Sequence, residues 1–159
     1  MDTGSFFIYF ANQRSVQSPQ REAEIPYQAR GVPMTKEQTR IYVIDDDESV
    51  RKAFKRLLRS VNFEAETFAS AEEFLKSQQP SKNSCIIIDI RMPGLTGFDL
   101  QRKLIDQGIR IPVIVISASD DAQIRDQARD LGAVAFFRKP IDDQALLDAI
   151  DWAIRGLRK

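Results

Sequence analysis

Histidine is missing from all 159 residues, and cysteine occurs once, as Cys85. The first absence removes His-based catalytic triads, imidazole metal ligands and any phosphohistidine carried by this chain itself. One thiol can close no intramolecular disulfide and hold no cysteine metal cluster, which points to a reducing, cytoplasmic setting. Cys85 opens an apolar run and reads as a small buried residue rather than a reactive thiol. An excess of charge is missing too. The 23 basic and 23 acidic residues cancel, so no global field favours nucleic acid or an anionic membrane as partner. Any charge-based function must be local. Long apolar runs are also absent: residues 6–11 (FFIYFA) fall far short of the roughly 20 that a spanning helix needs. With Asp2 as the only early charge, that stretch lacks the basic leader of a signal peptide.

What is present is a chain with 43% hydrophobic and 29% charged residues, enough for one globular domain with a real core. Residues 1–40 differ from the rest. They mix Ser, Gln, Pro19, Pro26, Gly31 and Pro33 without a helical or strand period, and read as a disordered extension. Met34 stands seven residues before the first strand, where an initiator is expected if residues 1–33 are an over-long gene assignment. The second reading of this segment is a tail that docks on a partner through Phe6, Phe7, Tyr9 and Phe10.

From Ile41 the pattern becomes regular. Short apolar runs at 41–44, 65–68, 85–90, 112–117 and 133–137 alternate with amphipathic stretches at 49–61, 71–76, 98–107, 122–131 and 143–157. The runs around Ile86–Ile88 and Val113–Ile116 are β-branched throughout, which suits strands buried on both faces of a parallel sheet. Val50, Phe54, Leu57, Leu58 and Val61 fall on one helical stripe, as do Leu146, Ile150, Ala153, Ile154 and Leu157. Ser70 can cap a helix starting at Ala71, and Gly108 and Gly132 follow helix ends. Five strand–helix units in strict alternation predict a doubly wound α/β domain over residues 41–159.

In such sheets ligands sit beyond the carboxyl ends of the strands. Past the first strand come Asp45, Asp46, Asp47 and Glu48; at the third, Asp89; at the fourth, Ser117; and past the fifth, Lys139-Pro140. These groups should converge on one cleft. Clustered carboxylates repel one another, and a hard divalent cation relieves this; Mg²⁺ suits one or two carboxylates with phosphate oxygens and waters. A carboxylate can take a phosphoryl group as an acyl phosphate, while a lysine neutralises the transferring oxygens. Each residue alone has a plainer reading: acids after a strand cap the next helix, Lys-Pro is a turn, and Ser117 is a strand-end hydroxyl.

The stretches VIDDDESVR, IIIDIRMPGLTGFDL, PVIVISAS and GAVAFFRKP, in this order and spacing, resemble the receiver domains of two-component response regulators, most closely the FixJ-type flavour. The resemblance implies a CheY-like (βα)5 fold with strand order 2-1-3-4-5. It implies that Asp89 is the phosphoacceptor, that Asp45, Asp46, Asp89 and the Arg91 main-chain carbonyl hold Mg²⁺, and that Ser117 and Lys139 contact the phosphoryl group. Ser117 and Phe136 would form the switch, Phe136 rotating inward as the hydroxyl moves, and Lys139-Pro140 is a bond often cis in this family. Phe136 stands where Tyr is common, which removes a hydroxyl and keeps the ring. Arg91 and Ser119 are expected to tune the hydrolysis lifetime. The implied partners are a histidine kinase or histidine phosphotransfer protein, with a homodimer or effector on the face of the fourth helix, fifth strand and fifth helix, near Trp152. Only Arg158-Lys159 follow Leu157, so a stand-alone receiver is expected, a signalling domain with self-dephosphorylation rather than an enzyme.

Two rivals stand beside this. A haloacid-dehalogenase-type phosphatase would use Asp45 as nucleophile with Asp47, Ser117, Lys139 and Asp142-Asp143, and would leave Asp89 without a role. A receiver-like scaffold without phosphorylation would bind neither Mg²⁺ nor a phosphoryl group.

Overall fold

The computed structural model describes residues 39–77, 80–119 and 121–157. The expected extension therefore lies outside the described residues, apart from Thr39 and Arg40. Five strands alternate with five helices: β1 (Arg40–Ile44), α1 (Glu48–Ser60), β2 (Glu64–Phe68), α2 (Ala71–Lys76), β3 (Ser84–Asp89), α3 (Gly97–Asp106), β4 (Val113–Ser117), α4 (Ala122–Asp130), β5 (Ala135–Arg138) and α5 (Asp143–Leu157). All pairs are parallel, in the order β2-β1-β3-β4-β5. Both the fold class and the strand order are those expected.

The sheet is apolar because both its faces are covered. Every residue of β3 and β4 is buried. Alternate side chains point to opposite faces, so Tyr42, Ile44, Ile86, Ile88, Val115 and Phe136 pack with Phe74 of α2, Phe98 and Leu104 of α3 and Ala128 of α4. Ile41, Val43, Ile87, Ile114, Ile116 and Phe137 pack on the other face with Phe54 and Leu58 of α1 and Leu146 and Ile150 of α5. Cys85 belongs to this second face; burial pushes its thiol up to about 12, which leaves it protonated and inert near neutral pH.

Register places the strand ends side by side. Ile44 lies opposite Ile88, Asp89 opposite Ile116, and Ser117 opposite Arg138. The Lys139-Pro140 bond is cis. Among the described residues no helix is long and apolar enough to cross a membrane.

Candidate functional site

The loops leaving β1, β3 and β5 open on the same edge of the sheet, and each delivers a charged group there. Asp45 follows the last residue of β1 and is fully buried, while Asp46 beside it is exposed. Asp89 closes β3 at 5% exposure. One carboxylate oxygen from each of these three lies within 4.8 Å of the others. Lys139, just past β5, donates from Nζ to Asp45 Oδ2 at 3.0 Å and to Asp89 Oδ2 at 3.3 Å. Its main-chain N–H also bonds the Ser117 carbonyl at 2.8 Å, which fixes the start of the Lys139 side chain against the end of β4.

Backbone geometry holds the acids in place. The Asp45 N–H donates to the Phe68 carbonyl at 3.1 Å, tying the loop to β2. Its Oδ1 accepts the Asp47 N–H at 2.9 Å. Arg51, one turn into α1, donates to the Asp45 carbonyl at 2.7 Å. Gly97 opens α3 against the base of the Asp89 residue, where a Cβ would stand 2.9 Å from the Asp89 carbonyl oxygen and 3.1 Å from Ile90 Cα. Only glycine lets α3 start this close to β3. Sequence reasoning singled out neither Arg51 nor Gly97. Both lie inside stretches it quoted, but nothing in their spacing signals a contact to a main-chain carbonyl.

The electrostatics follow from three clustered carboxylates, two of which share one ammonium. Burial, followed by the charge of Asp45, pushes the Asp89 carboxyl above the ordinary carboxylate range, and Lys139 only partly opposes this. Burial alone would pull the Lys139 ammonium down, yet the hydrogen bond and charge of Asp45 and the charge of Asp89 outweigh it, so its pKa is raised. Lys139 is thus held charged while Asp89 remains short of positive charge. An all-oxygen donor set with such a deficit fits a hard divalent cation such as Mg²⁺ and suits no soft one.

The remaining expected residues divide. Ser117 is fully buried at the end of β4, with its hydroxyl accepting the Ser119 N–H at 3.0 Å. Arg91 is exposed in the loop after Asp89, its N–H 3.4 Å from Asp89 Oδ1. Phe136, expected to rotate inward, is already fully buried in the core on the α3–α4 side. Asp47 stands apart: its Oδ1 accepts the N–H groups of Ser49 at 2.9 Å and Val50 at 3.4 Å, capping α1. Those bonds, Ser49's first, hold its carboxyl below the usual range. The plain capping reading applies to Asp47, and the acidic group joins Asp45 and Asp46 to Asp89. That is not the Asp45–Asp47 pair a haloacid-dehalogenase-type site would use.

Known proteins share this fold and much of this sequence. A family profile described as the response regulator receiver domain matches residues 41–151. Nodulation protein W of Bradyrhizobium diazoefficiens is 42% identical over 119 residues, covering 75% of this chain and 52% of that protein. The response regulator protein TodT of Pseudomonas putida is 42% identical over 115 residues, covering 72% and 51%. The crystal structure of FixJ-N superposes with a TM-score of 0.70 at 34% identity, covering 75% of this chain and 95% of that one. The chain spans about half the length of the curated relatives it matches. On the profile match, the shared fold and these identities, the chain belongs to the response regulator receiver-domain family.

Proposed function

We propose that Asp89 accepts a phosphoryl group from a phosphohistidine on another protein, with Mg²⁺ held by Asp45, Asp46, Asp89 and the Arg91 main-chain carbonyl. The observation that carries this is the Lys139 ammonium bridging Asp45 and Asp89, with Asp46 in the same cluster, at the carboxyl edge of the sheet. The donor histidine lies outside these 159 residues, which contain none. An Asp89 carboxylate oxygen forms the new P–O bond as the P–N bond to the donor imidazole breaks, and the imidazole leaves with the bonding pair. Lys139 opposes the effect of burial and so favours the ionised Asp89 carboxylate that this attack needs. Its ammonium also neutralises oxygens of the transferring group. The bound Mg²⁺ would supply the remaining positive charge at the phosphoryl oxygens. Ser117 accepts the Ser119 N–H and keeps its own O–H to donate to a phosphoryl oxygen, and Phe136 on β5, opposite Val115, provides the packing that reports the change. Water then cleaves the acyl phosphate, with Arg91 and Ser119 tuning the lifetime.

The test is incubation of the full chain with acetyl phosphate and Mg²⁺, read by intact mass. Wild type should gain one phosphoryl group, Asp89→Asn none, and Asp45→Asn should be labelled more slowly. Labelling that survives in Asp89→Asn would overturn the assignment. Absence of both Mg²⁺ binding and labelling in wild type would leave the scaffold reading. The output we propose is docking of an effector or a second copy on the face of α4, β5 and α5, where Trp152 is half-buried. Sedimentation of labelled protein together with Trp152→Ala checks this. A labelled wild type that stays monomeric removes the homodimer.

A further inference from the structure

Two adjacent glutamates open α2, and they serve different ends. Glu73 completes the start of its own helix: its Oε1 accepts the Ala69 N–H at 2.7 Å, and its N–H donates to Ser70 Oγ at 3.0 Å. Glu72 reaches out of the helix. Its Oε2 accepts the main-chain N–H of Leu95 at 3.1 Å, 23 positions away. Leu95 lies in the loop between β3 and α3, which starts one residue after Asp89 and carries Arg91. Beside it Gly94 has φ +79°, and a Cβ there would collide with the same Glu72 Oε2 and stand 3.2 Å from Glu72 Cδ. The loop backbone thus rests on this carboxylate at Gly94 and is bonded to it at Leu95.

The two ends of the loop have their own ties: the Ile90 N–H donates to the Ile116 carbonyl at 3.1 Å, the Arg91 N–H lies 3.4 Å from Asp89 Oδ1, and Thr96 and Asp99 cap α3 reciprocally. The loop closes through the Gly97 N–H to the Ile90 carbonyl at 3.0 Å. Ile90 and Met92 are buried, whereas Arg91, Pro93 and Gly94 are exposed. The exposed stretch at Pro93 and Gly94, between the buried Met92 and the half-buried Leu95, opens at low free energy unless it is tied down. The carboxylate-to-amide bond is charge-assisted and stronger than a neutral one. Its platform is firm, since Phe74, half a turn further along α2, is buried edge-on against Phe68 and Tyr42 with ring centroids 5.3 Å apart in each pair.

We infer that Glu72 is a positioning residue for the acidic site: through Leu95 and Gly94 it holds the β3–α3 loop so that the Arg91 main chain stays in place to complete the metal's oxygen shell. This rests on the reading that Asp45, Asp46, Asp89 and the Arg91 main-chain carbonyl bind Mg²⁺ and that Asp89 takes the phosphoryl group. Groups that orient metal ligands without touching the ion are worth roughly tenfold or more in affinity. The carboxamide of Gln keeps an oxygen that can accept the Leu95 N–H, so it separates the hydrogen bond from the charge.

The experiment compares full-length wild type, Glu72→Ala and Glu72→Gln by three measurements: Mg²⁺ binding by calorimetry, amide exchange at Leu95 in metal-free protein, and labelling by acetyl phosphate across Mg²⁺ concentrations. Glu72→Ala should weaken Mg²⁺ binding by roughly tenfold and speed Leu95 exchange. It should also raise the Mg²⁺ needed for half-maximal labelling, while the rate at saturating Mg²⁺ stays close to wild type. Glu72→Gln should recover most of the affinity. Gly94→Ala, which drives a methyl into the carboxylate, should weaken Mg²⁺ binding as well and serves if Glu72→Ala does not fold. Wild-type Mg²⁺ affinity in Glu72→Ala, or Glu72→Gln as weak as Glu72→Ala, overturns the positioning role alone. A wild type that neither binds Mg²⁺ nor takes label overturns the acceptor reading, and this one with it.

Discussion

Asp89 is 5% exposed beside the fully buried Asp45, and the two share the ammonium of Lys139. With Asp46 near them the cluster carries more negative than positive charge, so the metal-free fold is strained electrostatically where its chemistry is proposed. Asp89→Asn keeps the shape and an acceptor for Lys139 while removing one charge, and it should raise the melting temperature of metal-free protein near neutral pH. The sign agrees with the raised Asp89 carboxyl: an acid whose pKa is higher folded than unfolded destabilises the fold once ionised in both states, and has no effect below the unfolded value, where both are protonated. The gain should therefore shrink as pH falls from the raised folded value towards the ordinary carboxylate value, and vanish below it; a constant gain at all pH, or a loss at neutral pH, would contradict this account. Asp47 makes the opposite case. As the cap of α1, Asp47→Ala should lower the melting temperature and leave labelling at Asp89 unchanged, and lost labelling would return Asp47 to the site. At this scale the sequence was informative about which acids cluster, because strand ends are legible from apolar runs. It offered capping for the acids after the first strand but could not say that Asp47 is the one that turns to the helix, that the Ser117 hydroxyl bonds Ser119, or that Arg51 and Glu72 hold loop backbone. Those depend on side-chain direction and contacts the spacing does not encode.

Elements were legible to within a residue or two, and the misfits have identifiable causes. The fifth strand was expected from residue 133 and starts at Ala135. Gly132 and Ala133 are spent closing α4, the Gly132 N–H bonding the Arg129 carbonyl at 2.9 Å and the Ala133 N–H the Ala128 carbonyl at 3.0 Å, with Gly132 at φ +93°; the Val134 N–H then reaches the Val113 carbonyl at 2.9 Å. The first two bonds make the Schellman closure that glycine permits. Helix α1 ends with the same pair of bonds, from Asn62 to Arg59 and from Phe63 to Leu58, with Asn62 at φ +72°. That stop carried no glycine to announce it. Strand β1 begins a residue early at Arg40 because that residue pairs with Glu64 and Ser84 and its guanidinium bonds Glu64 at 2.9 Å. The six-residue α2 is too short to persist on propensity alone. Phe74, 3% exposed, is what holds it to the sheet. Phe74→Ala should cost about 3–5 kcal/mol in chemical denaturation, and a cost under about 1 kcal/mol would show that α2 is held by something else. At the start of α3, Thr96 and Asp99 form a reciprocal capping box, and Thr96→Ala should cost about 1 kcal/mol.

For the molecule as a whole, two packed faces of one sheet supply the stability, and the carboxyl edge of that sheet gives some of it back as unbalanced charge. Binding that occurs only in the folded state returns it, because the unfolded chain cannot gather Asp45, Asp46 and Asp89 within 4.8 Å. At an ion concentration tenfold above its Kd the stabilisation is about 1.4 kcal/mol, roughly 5 °C in melting temperature for a domain of this size. Mg²⁺ should therefore raise the Tm of wild type in a saturable way, and a chelator should reverse the shift. Asp46 is exposed, so its neutralisation hardly disturbs packing. Asp46→Asn should melt close to wild type without Mg²⁺ and lose most of the Mg²⁺-induced rise. The same measurement separates a specific site from general screening: sodium chloride at matched ionic strength should produce little of the shift, since a buried cluster is screened far less than surface charge. If salt reproduced the Mg²⁺ effect, or if Asp46→Asn kept it whole, these three carboxylates would be an electrostatic burden on the fold without being the place where the ion binds.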